Sequence, residues 1–171
     1  MLSNFRSLIY ELTVAPKIQR TQEYRDIDPK ISALVSALNN INKVSTIASC
    51  QGHIAGHLEP PYVYFYAPNH TVQQLIALIR ANNQWFIPWE ITGIFNEHNQ
   101  LTFRLSSLFY DAKYLNLTSQ FLYLGWHRNR VDMDIQLLAK IISDISDHLS
   151  CRHHHPNVHH VEKQVPSIPS M

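Results

Sequence analysis

The residues best suited to chemistry lie together in one segment, Thr46 to His57, written T-I-A-S-C-Q-G-H-I-A-G-H. Ser49 can donate or accept a hydrogen bond, Cys50 carries a thiol, and His53 can exchange a proton near neutral pH. Glycines such as Gly52 permit backbone conformations that other residues disfavour, and the N–H groups of such loops can point at an anion. The pattern predicts a binding or catalytic loop, with Cys50 and His53 as its catalytic candidates.

Other interpretations of this loop remain open. A small turn after a buried strand is also typical of tight packing, in which Cys50 would act as a small hydrophobic residue. Cys50 could instead be a nucleophile activated by His53, although their spacing on an irregular loop does not establish contact. Zinc could bind Cys50, His53 and His57, as in a metal-dependent hydrolase. Because these three donors have no distant partner in the sequence, we expect no metal here.

The elements before the loop must position it. A first strand is predicted over Leu8 to Val14. Asp28 is a candidate N-cap for a helix whose apolar residues recur at helical spacing to about Asn40. Val44 to Ala48 has the composition of a buried strand that leads directly into the loop, and Pro60-Pro61 ends the loop because proline interrupts regular structure.

The elements after the loop form a strand, a helix and a hairpin. Tyr62 to Ala67 is apolar on both faces, which predicts a central strand. Thr71 and Gln74 have the spacing of a capping box and predict the start of a second helix. Trp85 to Phe95 and Gln100 to Leu105 are predicted as two strands joined by a short polar turn.

The length of 171 residues suits one compact domain. We predict a single α/β domain over residues 1–150, with a mixed sheet flanked by helices. Tyr114 to Trp126 is ambiguous between helix and strand, whereas Val131 to Leu149 keeps one face apolar and predicts a long helix. Residues 151–171 are polar, rich in histidine and interrupted by proline, so we expect a flexible tail.

Composition limits the compartment and the partners. Fourteen basic residues balance thirteen acidic ones, and the absence of a basic block argues against DNA binding. No segment has the uninterrupted apolar length of a signal peptide or a membrane span. Two cysteines, Cys50 and Cys151, are too few for a disulfide framework. We therefore expect a soluble, cytoplasmic protein that binds no membrane; its oligomeric state is not predicted.

Several segments, taken in order, resemble a known family. They are the acidic pair Asp26 and Asp28, an amphipathic helix, V-S-T-I-A-S-C-Q-G-H at Val44 to His53, and P-Y-V-Y-F-Y-A-P at Pro61 to Pro68. This order is similar to the methyltransferase of the third wybutosine-synthesis type. That family modifies a guanosine in phenylalanine tRNA with S-adenosylmethionine as methyl donor.

The family's signature loop is close to T-x-S-S-C-S-G-R and follows a strand. Thr46, Ser49, Cys50 and Gly52 match it, whereas His53 stands where the family has arginine. Because a histidine is mostly neutral at pH 7, it should hold an anion more weakly than an arginine does.

A later segment, Ile91 to Ser107, resembles the family's S-G-I turn and the strand that follows it. Thr92 and Gly93 match the turn, and Arg104 corresponds to a basic residue on that strand. The resemblance implies the family's fold, S-adenosylmethionine as candidate cofactor and tRNA as candidate partner. It implies ligand-binding roles for these residues: Thr46, Ser49, Gly52, Thr92, Gly93 and Arg104. His57, in the same loop, is a further ligand-binding candidate.

Two functions follow as expectations. The first is a small-ligand or nucleotide-binding domain resembling an S-adenosylmethionine-dependent, tRNA-modifying methyltransferase, with the ligand held by the loop Ser49 to His53. The alternative is a non-catalytic protein that sequesters a nucleotide or blocks a protein partner. The balanced charge favours this alternative, because tRNA phosphates normally require clustered Lys and Arg.

Three further groups of side chains could bind ligands. Tyr62, Tyr64 and Tyr66 share one strand face and could stack on bases, although packing is the commoner role. Arg128 and Arg130 form a short basic cluster that we expect to be a solvated turn. The donors of the tail could chelate a metal adventitiously; they are Cys151, His153, His154, His155, His159 and His160.

Overall fold

The structure, a computed structural model, describes residues 2–14, 26–55, 59–107, 118 and 121–152. These residues form four α-helices: α1 (Leu2–Thr13), α2 (Ser32–Asn39), α3 (Asn69–Ala81) and α4 (Arg128–Arg152). They form four strands: β1 (Ser45–Cys50), β2 (Tyr62–Tyr66), β3 (Trp89–Phe95) and β4 (Leu101–Ser107). A π-helical turn, Phe121–Trp126, precedes α4.

The strands form one four-stranded sheet in the order β1-β2-β4-β3, and each neighbouring pair is antiparallel. The single α/β domain is therefore confirmed, but the sheet is antiparallel within the described residues, not mixed. β2 and β3 do run in the same direction and are joined by α3. The returning strand β4 lies between them, so this is a split β-α-β unit in which no parallel pair forms.

The hydrophobic core lies between one face of the sheet and the helices. Val63 and Phe65 of β2 are fully buried, and the register places them opposite Leu105 and Phe103 of β4. Residues of α2, α3 and α4 pack against this face, including Leu38, Leu75, Leu138 and Ile142. These are the apolar stripes that predicted the helices, so the three helices and the central position of β2 are confirmed. The predicted hairpin is confirmed as β3 and β4, although its first strand begins at Trp89 and not at Trp85.

The predicted first strand, Leu8 to Val14, is wrong, because the chain there forms α1. The less exposed residues of α1 are Asn4, Ser7, Leu8 and Glu11, which follow helical spacing but are mostly polar. Hydrophobic periodicity therefore could not detect this helix. The packed side of α1 is held by polar contacts instead, such as the hydrogen bond from Ser7 Oγ to Asn129 Oδ1 at 2.6 Å.

The two predicted helix caps are also wrong. α2 follows Ile31, which makes no side-chain capping bond, and the carboxylate of Asp28 is used elsewhere. α3 begins at Asn69, before the proposed cap at Thr71, and follows Pro68. Pro68 precedes the helix in an extended conformation and offers no side-chain cap.

β1 is not the buried strand that its sequence predicted. Within the described residues it is an edge strand, and Ile47 is 50% exposed. The segment predicted as ambiguous contributes the π-helical turn, and apart from residue 118 its earlier part lies outside the described residues. α4 continues to Arg152, beyond the predicted end at Leu149, and the rest of the tail is not described. No helix among the described residues is both long and apolar enough to cross a membrane.

Candidate functional site

The loop after β1 is organised by a carboxylate that is distant in sequence. Asp28, which lies just before α2, accepts a hydrogen bond on Oδ2 from the backbone N–H of Gln51 at 3.0 Å. The same oxygen lies 3.4 Å from Nε2 of His53, which is 25 residues away in sequence. Asp28 and His53 are both buried. The chain therefore brings a carboxylate and an imidazole together at the end of β1.

Cys50 completes this corner but is not activated as a nucleophile. Burial raises the pKa of its thiol from 9.0 to about 12, and the nearby carboxylates of Glu59 and Asp28 act in the same direction. The N–H of Gly52, 3.3 Å from the sulfur, lowers the pKa by a smaller amount. Since the thiolate is the reactive form, a thiol that stays protonated at neutral pH is a poor nucleophile.

Gly52 is required by the backbone of the loop. Its φ is +87°, a conformation that side chains disfavour. A Cβ at this position would lie 2.9 Å from Cδ of Pro61, closer than real Cβ contacts, and 3.0 Å from N of Pro61. The turn therefore fits closely against Pro61, and glycine is the residue that permits it.

Arg128 holds the same turn from α4. Its side chain is fully buried, and Nη1 donates to the carbonyl oxygen of Gly52 at 2.6 Å. Nε donates to Asp132 at 2.6 Å and lies 3.7 Å from the buried carboxylate of Glu11. Lys30 bridges Glu11 and Asp132, at 3.0 Å from each. The predicted solvated turn at Arg128 is therefore wrong, because this side chain links α1 and α4 to the loop.

His53 is fixed through its backbone, whereas its ring is poorly satisfied. The N–H of His53 donates to the carbonyl of Glu59 at 2.7 Å, and the Glu59 N–H returns the bond at 3.1 Å. This pair closes the loop as an isolated antiparallel bridge. The ring is 5% exposed, yet Nδ1 has no hydrogen-bond partner and the Nε2 contact with Asp28 is long. Buried polar groups are normally well paired, so this ring is an exception.

The other residues predicted for the loop do not join this corner. Thr46 lies at the start of β1, roughly 12 Å along the strand from Cys50, and its hydroxyl accepts from Asn39 Nδ2 at 2.9 Å. Ser49 pairs with Val63, so it shares the sheet face of the core. His57 lies outside the described residues. Of the predicted loop residues, Cys50, Gly52 and His53 are brought together.

The later group, Thr92, Gly93 and Arg104, lies elsewhere in the sheet. Thr92 pairs with Arg104 across β3 and β4, and Gly93 pairs with Phe103 in the next position. Arg104 is two strands from Cys50, about 10 Å across the sheet, and its Nη1 lies 3.4 Å from the hydroxyl of Tyr64. The register places Thr92 and Arg104 on the sheet face of Cys50, and Gly93 on the opposite face.

The tyrosines of β2 lie on the sheet face opposite the core helices. Tyr64 pairs with Arg104, and the guanidinium carbon of Arg104 is 5.9 Å from the Tyr64 ring centroid. Tyr62 and Tyr64 meet edge to face at 5.3 Å. Tyr66 is 36% exposed. Their expected packing role thus takes the form of contacts with each other and with Arg104, while Val63 and Phe65 supply the core.

Three residues that organise the corner were missed as site residues. Asp28 was interpreted as a cap, Arg128 as a surface residue, and Glu59 only as part of the loop. An acidic residue just before a helix is typical of a cap, so the sequence around Asp28 did not distinguish a helix cap from a site residue. The donor atoms of Asp28, Cys50 and His53 all lie within 4.8 Å of one another, and the three residues are buried.

Comparisons with family models, with curated proteins and with solved structures find no match to this chain. The corner formed by Asp28, Cys50 and His53 is therefore the feature from which a function can be inferred.

Proposed function

We propose that this chain is a ligand-binding α/β domain, and that its ligand contacts the corner formed by Asp28, Cys50 and His53. The observation that carries the proposal is the ring of His53. It is nine-tenths buried, Nδ1 has no partner, and Nε2 is 3.4 Å from the nearest carboxylate oxygen. A buried imidazole in this condition weakens the fold unless a ligand satisfies it.

Two other buried charged residues near the loop, Asp28 and Arg128, have structural partners, although Arg128 Nη2 itself has none. Asp28 accepts the Gln51 N–H, and Arg128 donates to the Gly52 carbonyl, so both satisfy loop backbone groups that would otherwise be buried alone. Well-packed apolar residues often stabilise a fold as much as buried ions do. The buried ionisable groups around this loop therefore support its interpretation as a functional site.

The resemblance to the wybutosine-type methyltransferases suggests the finer form of the proposal. In that form the ligand is S-adenosylmethionine or a nucleotide, and the reaction is methyl transfer to RNA. The binding-only alternative is favoured by the balanced charge, fourteen basic against thirteen acidic residues, because tRNA phosphates normally require clustered Lys and Arg. Burial keeps the pKa of the Cys50 thiol high, so it supplies no nucleophile at neutral pH. Methyl transfer by proximity and orientation would not need that thiol as a nucleophile.

Calorimetric titration of the purified chain tests the proposal with a panel of S-adenosylmethionine, S-adenosylhomocysteine and nucleotides. At least one member should bind, and His53→Gln should weaken that binding about tenfold, the equivalent of one hydrogen bond of about 1.4 kcal/mol. His98→Gln is the matched control, because His98 is exposed in the hairpin turn. If no member binds at millimolar concentration, the proposal of an organic ligand fails.

An activity assay separates the enzyme from the binding protein. The chain is incubated with S-adenosylmethionine that carries a labelled methyl group and with total tRNA. Label in the RNA would support the methyltransferase and contradict the binding-only alternative. Binding without transfer across RNAs and nucleotides would support the alternative.

A further inference from the structure

We propose that the corner binds a divalent transition metal ion, with zinc as the best match to its donors. The carboxylate of Asp28, the sulfur of Cys50 and the imidazole of His53 would be its protein ligands. This inference rests on the proposed function, because it names the chemical class of a ligand at the same corner. The sequence alone argued against zinc since the loop donors had no distant partner, and Asp28 is such a partner.

The separations of the donors suit a small ion. Zinc binds sulfur at about 2.3 Å and nitrogen or oxygen at about 2.0–2.2 Å, usually in tetrahedral geometry, which places ligand atoms about 3.3–3.6 Å apart. His53 Nε2 and Asp28 Oδ2 are 3.4 Å apart. This distance is long for a hydrogen bond but matches two ligands of one ion. The three donor atoms lie within 4.8 Å of one another, so closing around an ion needs shifts of about 1 Å.

The donor types select the metal. A thiolate and an imidazole together are typical ligands of zinc, whereas magnesium and calcium prefer oxygen alone. On binding, the Cys50 sulfur forms a bond to the ion and its proton passes to solvent, which balances the step. Glu59, whose carboxylate also helps to raise the pKa of that thiol, is a candidate fourth ligand. A water molecule would otherwise complete the coordination, as in open zinc sites.

The backbone around the donors is fixed before any ion binds. Gly52 lies between Cys50 and His53, and its carbonyl is held by the buried Arg128 at 2.6 Å. His53 is bridged to Glu59 by two backbone hydrogen bonds. Ligands on such a rigid frame lose little conformational freedom when they bind, which favours affinity.

The experiment must remove the competing donors of the tail without shortening the chain. The parent protein for the test is the full chain with serine at the tail positions that carry donors: Cys151, His153, His154, His155, His159 and His160. We expect this parent to bind about one zinc per chain after dialysis, measured by atomic absorption. Its cobalt(II) form should show a thiolate-to-cobalt charge-transfer band and the visible bands of tetrahedral cobalt.

Isosteric variants then assign the ligands. Asp28→Asn and His53→Gln should each weaken zinc binding at least tenfold, whereas Asp144→Asn and His98→Gln should leave it unchanged, since Asp144 and His98 are exposed. A parent that binds no zinc, or a cobalt form without the thiolate band, would overturn the proposal. Zinc affinities of Asp28→Asn and His53→Gln that equal the affinity of the parent would overturn it as well. If a cluster variant does not fold, the cobalt spectrum of the parent still decides the outcome.

The two proposals can fail separately. Binding of a nucleotide or S-adenosylmethionine by the chelator-treated parent, with no zinc uptake, would leave the proposed function and remove the metal. Zinc uptake by a parent that binds no organic ligand of the panel would leave a metal site and remove the organic ligand.

Discussion

Replacing Gly52 with alanine should lower the free energy of unfolding by about 3 kcal/mol. The first contribution is the backbone conformation, because a φ of +87° is strained for a residue with a side chain, by about 1–3 kcal/mol. The second is steric, since the added Cβ would lie 2.9 Å from Pro61 Cδ and 3.2 Å from Leu124 Cδ2. Overpacking of this kind costs about 1–3 kcal/mol.

Urea unfolding followed by tryptophan fluorescence measures the effect, with a chelator present so that no ion contributes. Gly93→Ala is the matched control, because its Cβ would lie 3.3 Å from Leu101 Cδ1, the flexible end of a side chain. It should change the unfolding free energy by less than about 1 kcal/mol. A neutral surface substitution changes the unfolding free energy by up to about 0.5 kcal/mol. If the unfolding free energy of Gly52→Ala differs from that of the unsubstituted chain by no more than about this amount, the close fit against Pro61 is refuted.

Two other predictions concern buried groups of the site. Arg128→Met should destabilise the fold by about 3–5 kcal/mol, because it leaves the buried Glu11 with one cation fewer and the Gly52 carbonyl without its donor. Arg130→Met, at an exposed residue, is the control in the same urea assay, and an equal effect would contradict the buried network. Cys50→Ala should reveal a pH dependence in metal-free protein. Since burial raises the pKa of this thiol from 9.0 to about 12, the protonated thiol favours the folded state. That contribution is complete below pH 9 and is lost as the pH rises from about 9 to about 12, by about 1.4 kcal/mol per unit. Unfolding free energies at several pH values across this range should therefore converge for the original chain and Cys50→Ala; parallel curves would disprove the shift.

The sequence predicted those helices and strands whose buried side chains are apolar. Val131 to Leu149 and the helix before the loop carry stripes that pack on the sheet, and both were predicted. The hairpin of β3 and β4 was predicted from alternation and a polar turn. α1 was missed because its packed residues, such as Ser7 and Glu11, are polar.

The edge position of β1 was missed for a different reason. Its apolar composition resembles that of a central strand, and only the pairing of β4 between β2 and β3 leaves β1 at the side of the sheet. Such pairing depends on contacts between residues far apart in sequence, which local patterns do not contain.

Of the site, only the residues that lie close together in sequence could be predicted. Cys50, Gly52 and His53 lie close together in sequence, so their residue types were enough to mark the loop. Asp28 reaches it from the segment before α2 and Arg128 from α4. Nothing in their sequence neighbourhoods distinguished them from a cap and a surface charge. A buried arginine in particular contradicts the usual preference of that residue for solvent.

One extra residue in β1 decides which way Cys50 points. The ladder between β1 and β2 slips at a bulge, where Thr46 pairs with Phe65 and Ala48 pairs with Tyr64, leaving Ile47 unpaired. Because strand side chains alternate in direction, this insertion exchanges the sides occupied by every later residue of the strand. With an even ladder, Ser49 would take the orientation of Cys50, and the thiol would point to the helical side of the sheet. The contact of Cys50 with Asp28 and His53 thus depends on a one-residue bulge in β1, a strand that contains neither Asp28 nor His53.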